Sequence, residues 1–317
     1  MIKRRLGDTE LEIMPLVLGG NVFGWTADEP ATFRILDAFV EAGGNLIDTA
    51  DVYSRWVTGN KGGESESLLG KWLRQSGKRD RVLIATKVGS DMGPYGKGLS
   101  KVHIMRSVED SLKRLQTNVI DLYQSHRDDP NTPIEETLEA YALLLKQGKI
   151  RAIGASNFSN PRLRASLDIS ANKGYPAYQS LQPRYNLYDR SDFEADLGPL
   201  CREKGLGVIT YSSLASGFLT GKYRTRNDLA KSIRGQGMGL YLNDRGLRIL
   251  AVLDLVAKEY SSTPAAVALA WLMARPGITA PIASATSVEQ LKDLMAAARL
   301  TLERSAIEKL DEASAWR

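Results

Sequence analysis

Along the chain, short apolar or β-branched runs alternate with longer stretches whose apolar positions recur at helical spacing, from about residue 16 almost to the C-terminus. A continuous apolar run bounded by polar or glycine positions predicts a strand buried on both faces; a 3.6-residue period predicts an amphipathic helix. The strand-like runs are "PLVLGG", "NLIDTA", "VLIATKVG", "IDLYQSH", "RAIGASN", "YQSLQPRYN", "LGVITYSS" and "TAPIASA". Helical patterns lie between them. Phe33, Leu36, Phe39 and Val40 precede the stop signal Gly43-Gly44, and Val102, Met105, Val108, Leu112 and Leu115 follow Ser100, a plausible N-cap. Thr132-Pro133, with Glu135 as a capping-box partner, and Thr263-Pro264 predict two further helix starts.

Two segments break the rhythm. "KRRLGDTELEIM" reads as a hairpin turning at Gly7-Asp8, suited to plug the lower end of a barrel. Gly217 to Asp244, rich in glycine and basic residues, reads as a long functional loop too polar to pack. Strands and helices in strict alternation, with no linker and no second core, point to an α/β fold: a (β/α)8 TIM barrel with an N-terminal β-hairpin, one domain over residues 1–317. An open doubly wound sheet is disfavoured because "LGGNVFG" after the first strand lacks the GxGxxG spacing.

Composition narrows the function. Hydrophobic residues at 43% and charged residues at 25% are those of a globular protein with a substantial core. The net charge of +5 comes from Lys and Arg scattered among Asp and Glu, which argues for an anionic small molecule and against nucleic acid. Cys201 is the only cysteine, so no intramolecular disulfide or multi-cysteine zinc site forms, and burial on a helix is its expected state. No signal-peptide core or membrane-length apolar span is present, which leads to the expectation of a cytoplasmic protein away from membranes.

Barrels of this kind carry their chemistry at the C-terminal ends of the strands. There the chain places Asp48, Lys87, His126, Ser156-Asn157, Gln182, Tyr211-Ser212-Ser213 and Ser284. Each alone has an ordinary explanation, as a helix cap or a strand-end charge. Of two histidines, His103 falls in the first turn of an amphipathic helix, where a solvated role is expected, leaving His126 for chemistry. Together with Tyr53, these residues make a coherent acid. Lys87 lowers the phenol pKa, Asp48 holds the ammonium, and His126 orients a carbonyl oxygen toward the Tyr53 hydroxyl.

"NLIDTADVYS", "VLIATKVG", "DLYQSHRDDPNTPIEETLEAYALLLKQGKIRAIGASNFS", "QPRYNLYDR" and "TYSSLASGFLTGKY" resemble the aldo-keto reductases over essentially the whole chain. The resemblance implies a catalytic tetrad of Asp48, Tyr53, Lys87 and His126 and a nicotinamide cofactor bound across the barrel mouth. It implies that Ser156, Asn157 and Gln182 hold the carboxamide, that Tyr211 stacks on the ring and that Gly20 permits close approach. Ser212, Leu214, Gly217 and Leu219 would follow the pyrophosphate, with Lys222 as charge partner and the basic loop as a clamp. Here the chain departs from the pattern: Ser284, Ala285, Thr286 and Ser287 stand where a cation is usual, Gln290 matches, and Leu294 replaces a usual Asn. NADP(H) remains favoured, with NAD(H) open. Phe23, Trp25, Trp56 and Arg127 are the expected contacts of a small-molecule carbonyl substrate, sugar-type or otherwise polar. Arg127 either receives an anionic or polyhydroxylated substrate or pairs with Asp128 or Asp129. The rival readings are a non-catalytic nicotinamide-binding regulatory subunit and a Schiff-base lyase using Lys87.

Overall fold

The computed structural model describes residues 2–316. Each of the eight apolar runs contains a strand: β3 (Val17–Gly19), β4 (Leu46–Asp48), β5 (Leu83–Val88), β6 (Ile120–Ser125), β7 (Ile150–Ser156), β8 (Ser180–Gln182), β9 (Gly207–Thr210) and β10 (Ala280–Ala283). All are parallel, and β10 pairs with both β9 and β3, closing the barrel. Because strand side chains alternate in direction, residues two apart share the interior. Val17, Leu46, Ala85, Leu122, Ala152, Ile209, Ala280 and Ile282 cluster in the lower interior. Two residues further along, the same strands carry Asp48, Lys87 and Gln124, so the polar layer is the next storey of the packed interior. The register sets Lys87 opposite Gln124 and Ser156 opposite Gln182.

Below the apolar layer, β1 (Arg4–Arg5) and β2 (Glu12–Ile13) form the expected antiparallel hairpin, and Leu6, Leu11 and Ile13 join the lower cluster as a plug. Gly7, at φ +58°, is pressed against β8: a Cβ there would lie 2.1 Å from the Gln179 carbonyl oxygen. Among the described residues there are ten α-helices: α1 (Glu29–Glu41), α2 (Glu64–Ser76), α3 (Lys101–Leu115), α4 (Ile134–Lys146), α5 (Asn160–Lys173), α6 (Gly198–Glu203), α7 (Asp244–Glu259), α8 (Pro264–Ala274), α9 (Val288–Ala297) and α10 (Arg304–Ala313). Ser100 and Thr263 cap α3 and α8 as expected, accepting from the His103 and Ala266 N–H groups. Cys201 is buried on α6, and its thiol is pushed up to about 12 by burial.

Four local expectations are corrected. Val102 is 81% exposed, because α3 turns Ile104, Val108 and Leu112 inward. His103 is buried, with its ring nitrogens near Arg106 and Ser107, and burial lowers its pKa. Thr132 does not cap α4; its hydroxyl donates instead to Asp129 at 2.6 Å. The segment from 217 to 244 is packed, built of short 3-10 turns whose Phe218, Tyr223, Met238 and Tyr241 enter the core.

Candidate active site

Asp48 ends β4 almost fully buried, and its two oxygens have different partners. Oδ2 accepts from the Lys87 ammonium at 2.7 Å; Oδ1 accepts from the side-chain amides of Gln182 at 2.9 Å and Gln124 at 3.2 Å. Lys87, fully buried on β5, also donates to the Thr49 carbonyl and to the Tyr53 hydroxyl, each at 2.8 Å. All three ammonium protons therefore have acceptors, which is what makes a buried cation tolerable. Burial lowers the Lys87 pKa and Asp48 opposes it. Gln124 was not anticipated as part of this network. Its signal was a polar residue two positions before His126 in the same run, and Gly154 beside it leaves room: a Cβ there would stand 3.1 Å from Gln124 Cγ.

Tyr53 reaches this pair from the turn after β4. The next residue, Ser54, is left-handed at φ 69°, and its hydroxyl donates to the Phe23 carbonyl at 2.7 Å, pinning the turn to the β3 loop. Such conformations persist only where the surroundings impose them. Burial, and next the Asp48 charge, hold the Tyr53 hydroxyl well above its ordinary pKa. The expected lowering by Lys87 is thus outweighed, and the phenol keeps its proton. His126, 6.0 Å from Tyr53 between ring centroids, is held well below its ordinary pKa by burial, then by Lys87 and Arg127. It is a neutral imidazole whose buried Nδ1 has no partner among the described residues.

Above these groups opens a cavity of about 1020 Å³ lined by Asp48, Tyr53, Trp56, His126 and Arg127 on one side. Ser156, Asn157, Gln182, Tyr211, Ser212, Leu214, Gly217, Lys222, Ser284, Thr286 and Gln290 also face it. Its size, at the top of the usual range for ligand pockets, suits an elongated ligand together with a small substrate. Asn157 is left-handed at φ 55°, its amide donates to the His126 carbonyl, and its oxygen accepts from the Tyr211 hydroxyl at 2.9 Å. Ser212, Ala215 and Ser216 are left-handed as well, so the strained backbone collects around the cavity.

Comparison with known proteins gives the family. The model of the Aldo/keto reductase family matches residues 15–315. The chain belongs to the aldo/keto reductase family. It is 36% identical to "Uncharacterized oxidoreductase YrpG" of Bacillus subtilis (strain 168), over 97% of this chain and 94% of the relative. It is 34% identical to "Aldo-keto reductase YhdN" of the same organism, over 87% and 81%. A "Probable voltage-gated potassium channel subunit beta" of Oryza sativa subsp. japonica is 33% identical over 93% and 90%. As a member of the family the chain is an NAD(P)H-dependent oxidoreductase acting on small carbonyl compounds. No described helix is long and apolar enough to cross a membrane.

Some residues expected to touch ligands in this aldo/keto reductase stand elsewhere. Gly20 faces away from the cavity, where a Cβ would meet the Ser65 hydroxyl at 2.9 Å; its neighbour Gly19 lines the cavity instead. Phe23 is wholly in the core, and so is Leu219, whose N–H is bonded to the Leu214 carbonyl. Trp25 stands beside the cavity, edge-on to Trp56 at 5.6 Å. Ser287 caps α9 by accepting from the Gln290 N–H, and Thr286 gives both its N–H and its hydroxyl to the Gln290 side chain. Ser156 and Asn157 do not cap α5, which starts after Ser159. Arg127 pairs with neither neighbouring aspartate, since Asp128 binds Arg162 and Asp129 binds Thr132 and the Leu99 N–H. Arg184 lines the cavity without having been anticipated as a ligand contact; Ile233 and Arg234 reach it from the basic loop expected to serve as a clamp, and Leu294 reaches it from α9.

Proposed function

We propose that the protein reduces an aldehyde or ketone to an alcohol with NADP(H), Tyr53 being the general acid. The observation that carries this reading is the placing of the Tyr53 hydroxyl: it faces the cavity, lies 2.8 Å from the ammonium that would receive its negative charge, and is raised in pKa by burial. The residues present fit a nicotinamide cofactor. The amide of Asn157 and the hydroxyl of Ser156 stand at the end of β7, the Tyr211 ring borders the same cavity, and Lys222 lies beside Gly217. The bound cofactor supplies the hydride. As the carbonyl carbon accepts it, the carbonyl oxygen takes the Tyr53 proton, leaving a phenolate against the Lys87 ammonium. Asp48, fixed by two glutamine amides, keeps that ammonium in place. His126, being neutral, can offer an N–H to the carbonyl oxygen without adding a charge that would compete with the acid.

The lining carries five cations, Arg127, Arg184, Lys222, Lys231 and Arg234, against the carboxylates Asp48 and Asp293. That surplus supports an anionic cofactor, and NADP(H) over NAD(H). Ser284 is less free than a phosphate site would want, since it bonds the Asn21 side chain at 2.5 Å. The Oryza sativa relative named as a channel subunit favours one second reading, a regulatory subunit that binds the cofactor without turnover. Oxidation of NADPH and NADH, followed with a panel of aldehydes, separates the two. Turnover with a lower KM for NADPH is expected; tight cofactor binding with no turnover of any aldehyde would establish the regulatory reading.

A further inference from the structure

Asp48 and Lys87 are held in place by more than each other. Ser65 and Glu66, consecutive residues in the first turn of α2 and both 0% exposed, reach three neighbouring strand ends from outside the barrel. The Ser65 hydroxyl donates to the Gly20 carbonyl at 2.8 Å, just past β3. Its proton is thereby committed, so Ser65 Oγ is the acceptor in its 2.8 Å contact with the hydroxyl of Thr49, the residue after Asp48, whose carbonyl binds the Lys87 ammonium. Glu66 Oε1 accepts from the hydroxyl of Thr86, the residue before Lys87, at 2.6 Å. Strand alternation explains the division: Lys87 points into the barrel, so Thr86 points out toward α2.

Glu66 Oε2 accepts from Arg114 Nε on α3 at 2.7 Å, and Arg114 Nη2 donates onward to Ser111 Oγ at 3.2 Å. A fully buried carboxylate costs more in a helix–barrel contact than an apolar side chain of similar size. What the carboxylate adds is direction, because a charge-assisted hydrogen bond is short and fixes its geometry. The backbone completes the arrangement: the Gly20 N–H donates to the Asp48 carbonyl at 2.7 Å, and the Asp51 N–H to the Lys87 carbonyl at 3.2 Å. We propose that Ser65 and Glu66 are positioning residues for proton transfer, an outer clamp that ties the ends of β3, β4 and β5 together and so fixes the Lys87 ammonium 2.8 Å from the Tyr53 hydroxyl. Neither residue lines the cavity, so both act through Thr49 and Thr86. The inference rests on the carbonyl-reductase reading above.

The test is a single turnover: protein loaded with NADPH is mixed with excess aldehyde, and the loss of NADPH absorbance gives an amplitude and a rate constant for hydride transfer. The amplitude counts folded, loaded protein, so a merely structural role moves the amplitude and leaves the rate constant alone. Thr86→Val keeps the shape of the side chain and removes the hydroxyl that Glu66 holds. Its rate constant should fall about tenfold or more, since a misplacement of about 1 Å can cost about 10²-fold. Its dissociation constant for NADPH, read by fluorescence quenching, should stay within about twofold of wild type. Thr86→Ser restores the hydroxyl and should recover most of the rate. Ser65→Ala should slow the same step from the β4 side, and it supplies the reading if Thr86→Val does not fold. A wild-type rate constant in either folded variant overturns this inference alone. So does an equal loss in Thr86→Ser, because the hydroxyl is then not the cause, or a loss of NADPH affinity as large as the loss of rate, because the clamp then serves the cofactor. A wild type that binds NADPH and transfers hydride to no aldehyde overturns the reductase reading, and this inference with it.

Discussion

Asp51 lies between Asp48 and Tyr53 in the sequence and has no place in the proton-transfer network. Its side chain is 2% exposed, its Oδ1 has no partner among the described residues, and burial, with Glu66 next, pushes its pKa from 3.8 to about 8. Glu66 is already committed to Arg114 at 2.7 Å and to the Thr86 hydroxyl at 2.6 Å, so Asp51 is the carboxyl that gives way and stays protonated. The sign follows. From about pH 4 to about 8 the unfolded chain has released this proton and the folded chain still holds it, so the stability Asp51 contributes is full below that window and is lost as pH rises through it. Asp51→Asn keeps the shape of the neutral acid and removes the titration. In urea denaturation between about pH 5 and about pH 8, the wild type should lose stability relative to this variant, with a limiting slope of about 1.4 kcal/mol per pH unit. Parallel profiles would mean that Asp51 is ionised in the fold. Asp51 also marks a limit of sequence reading, since a carboxylate and a buried carboxylic acid are spelled the same. Gln124 was hidden for a related reason. It stands level with Lys87, two residues before the His126 that marks the strand's end in the sequence, and only the register with Lys87 makes it a partner of the site.

At the level of elements, contact between helices can be as demanding as the site. Gly70 in α2 is pressed on the end of α3, where a Cβ would lie 2.1 Å from the Arg114 carbonyl oxygen and 2.7 Å from the Leu115 carbonyl carbon. Backbone cannot yield as a side chain tip does, so Gly70→Ala should cost about 1–3 kcal/mol. Gly237→Ala, where an added Cβ meets nothing within 4 Å, should fall within about 0.5 kcal/mol of wild type. Equal urea midpoints for the two variants would contradict the packing described. The strands were legible because a parallel barrel buries both faces of each strand and so writes them as apolar runs. Helix starts were legible only where the capping hydroxyl has no better partner: Ser100 and Thr263 cap, whereas Thr132 is taken by Asp129. The 217–244 segment misled because four large core side chains are dispersed among its glycines and cations.

Over the whole molecule, closing the barrel is what makes the chemistry. Asp48, Lys87, Gln124 and Gln182 lie on four different strands and meet because parallel register stacks them one storey above a shared apolar layer. Tyr53 and His126 are then added from loops, and the segment after β9 brings Arg234 to the same cavity. The fold could be read from strand order, and the convergence of Asp48, Lys87 and His126 from the ends of the strands. Whether Arg127 is free to meet a ligand could not, because that depends on Asp128 and Asp129 being engaged elsewhere. The claim on which the rest depends is that Tyr53 gives its proton to the substrate. Tyr53→Phe keeps the ring against Trp56 and removes only the hydroxyl. With saturating NADPH and an aldehyde that the wild type reduces, kcat should fall by about 10²–10⁴-fold while cofactor affinity is retained. Turnover at or near the wild-type rate would contradict the account.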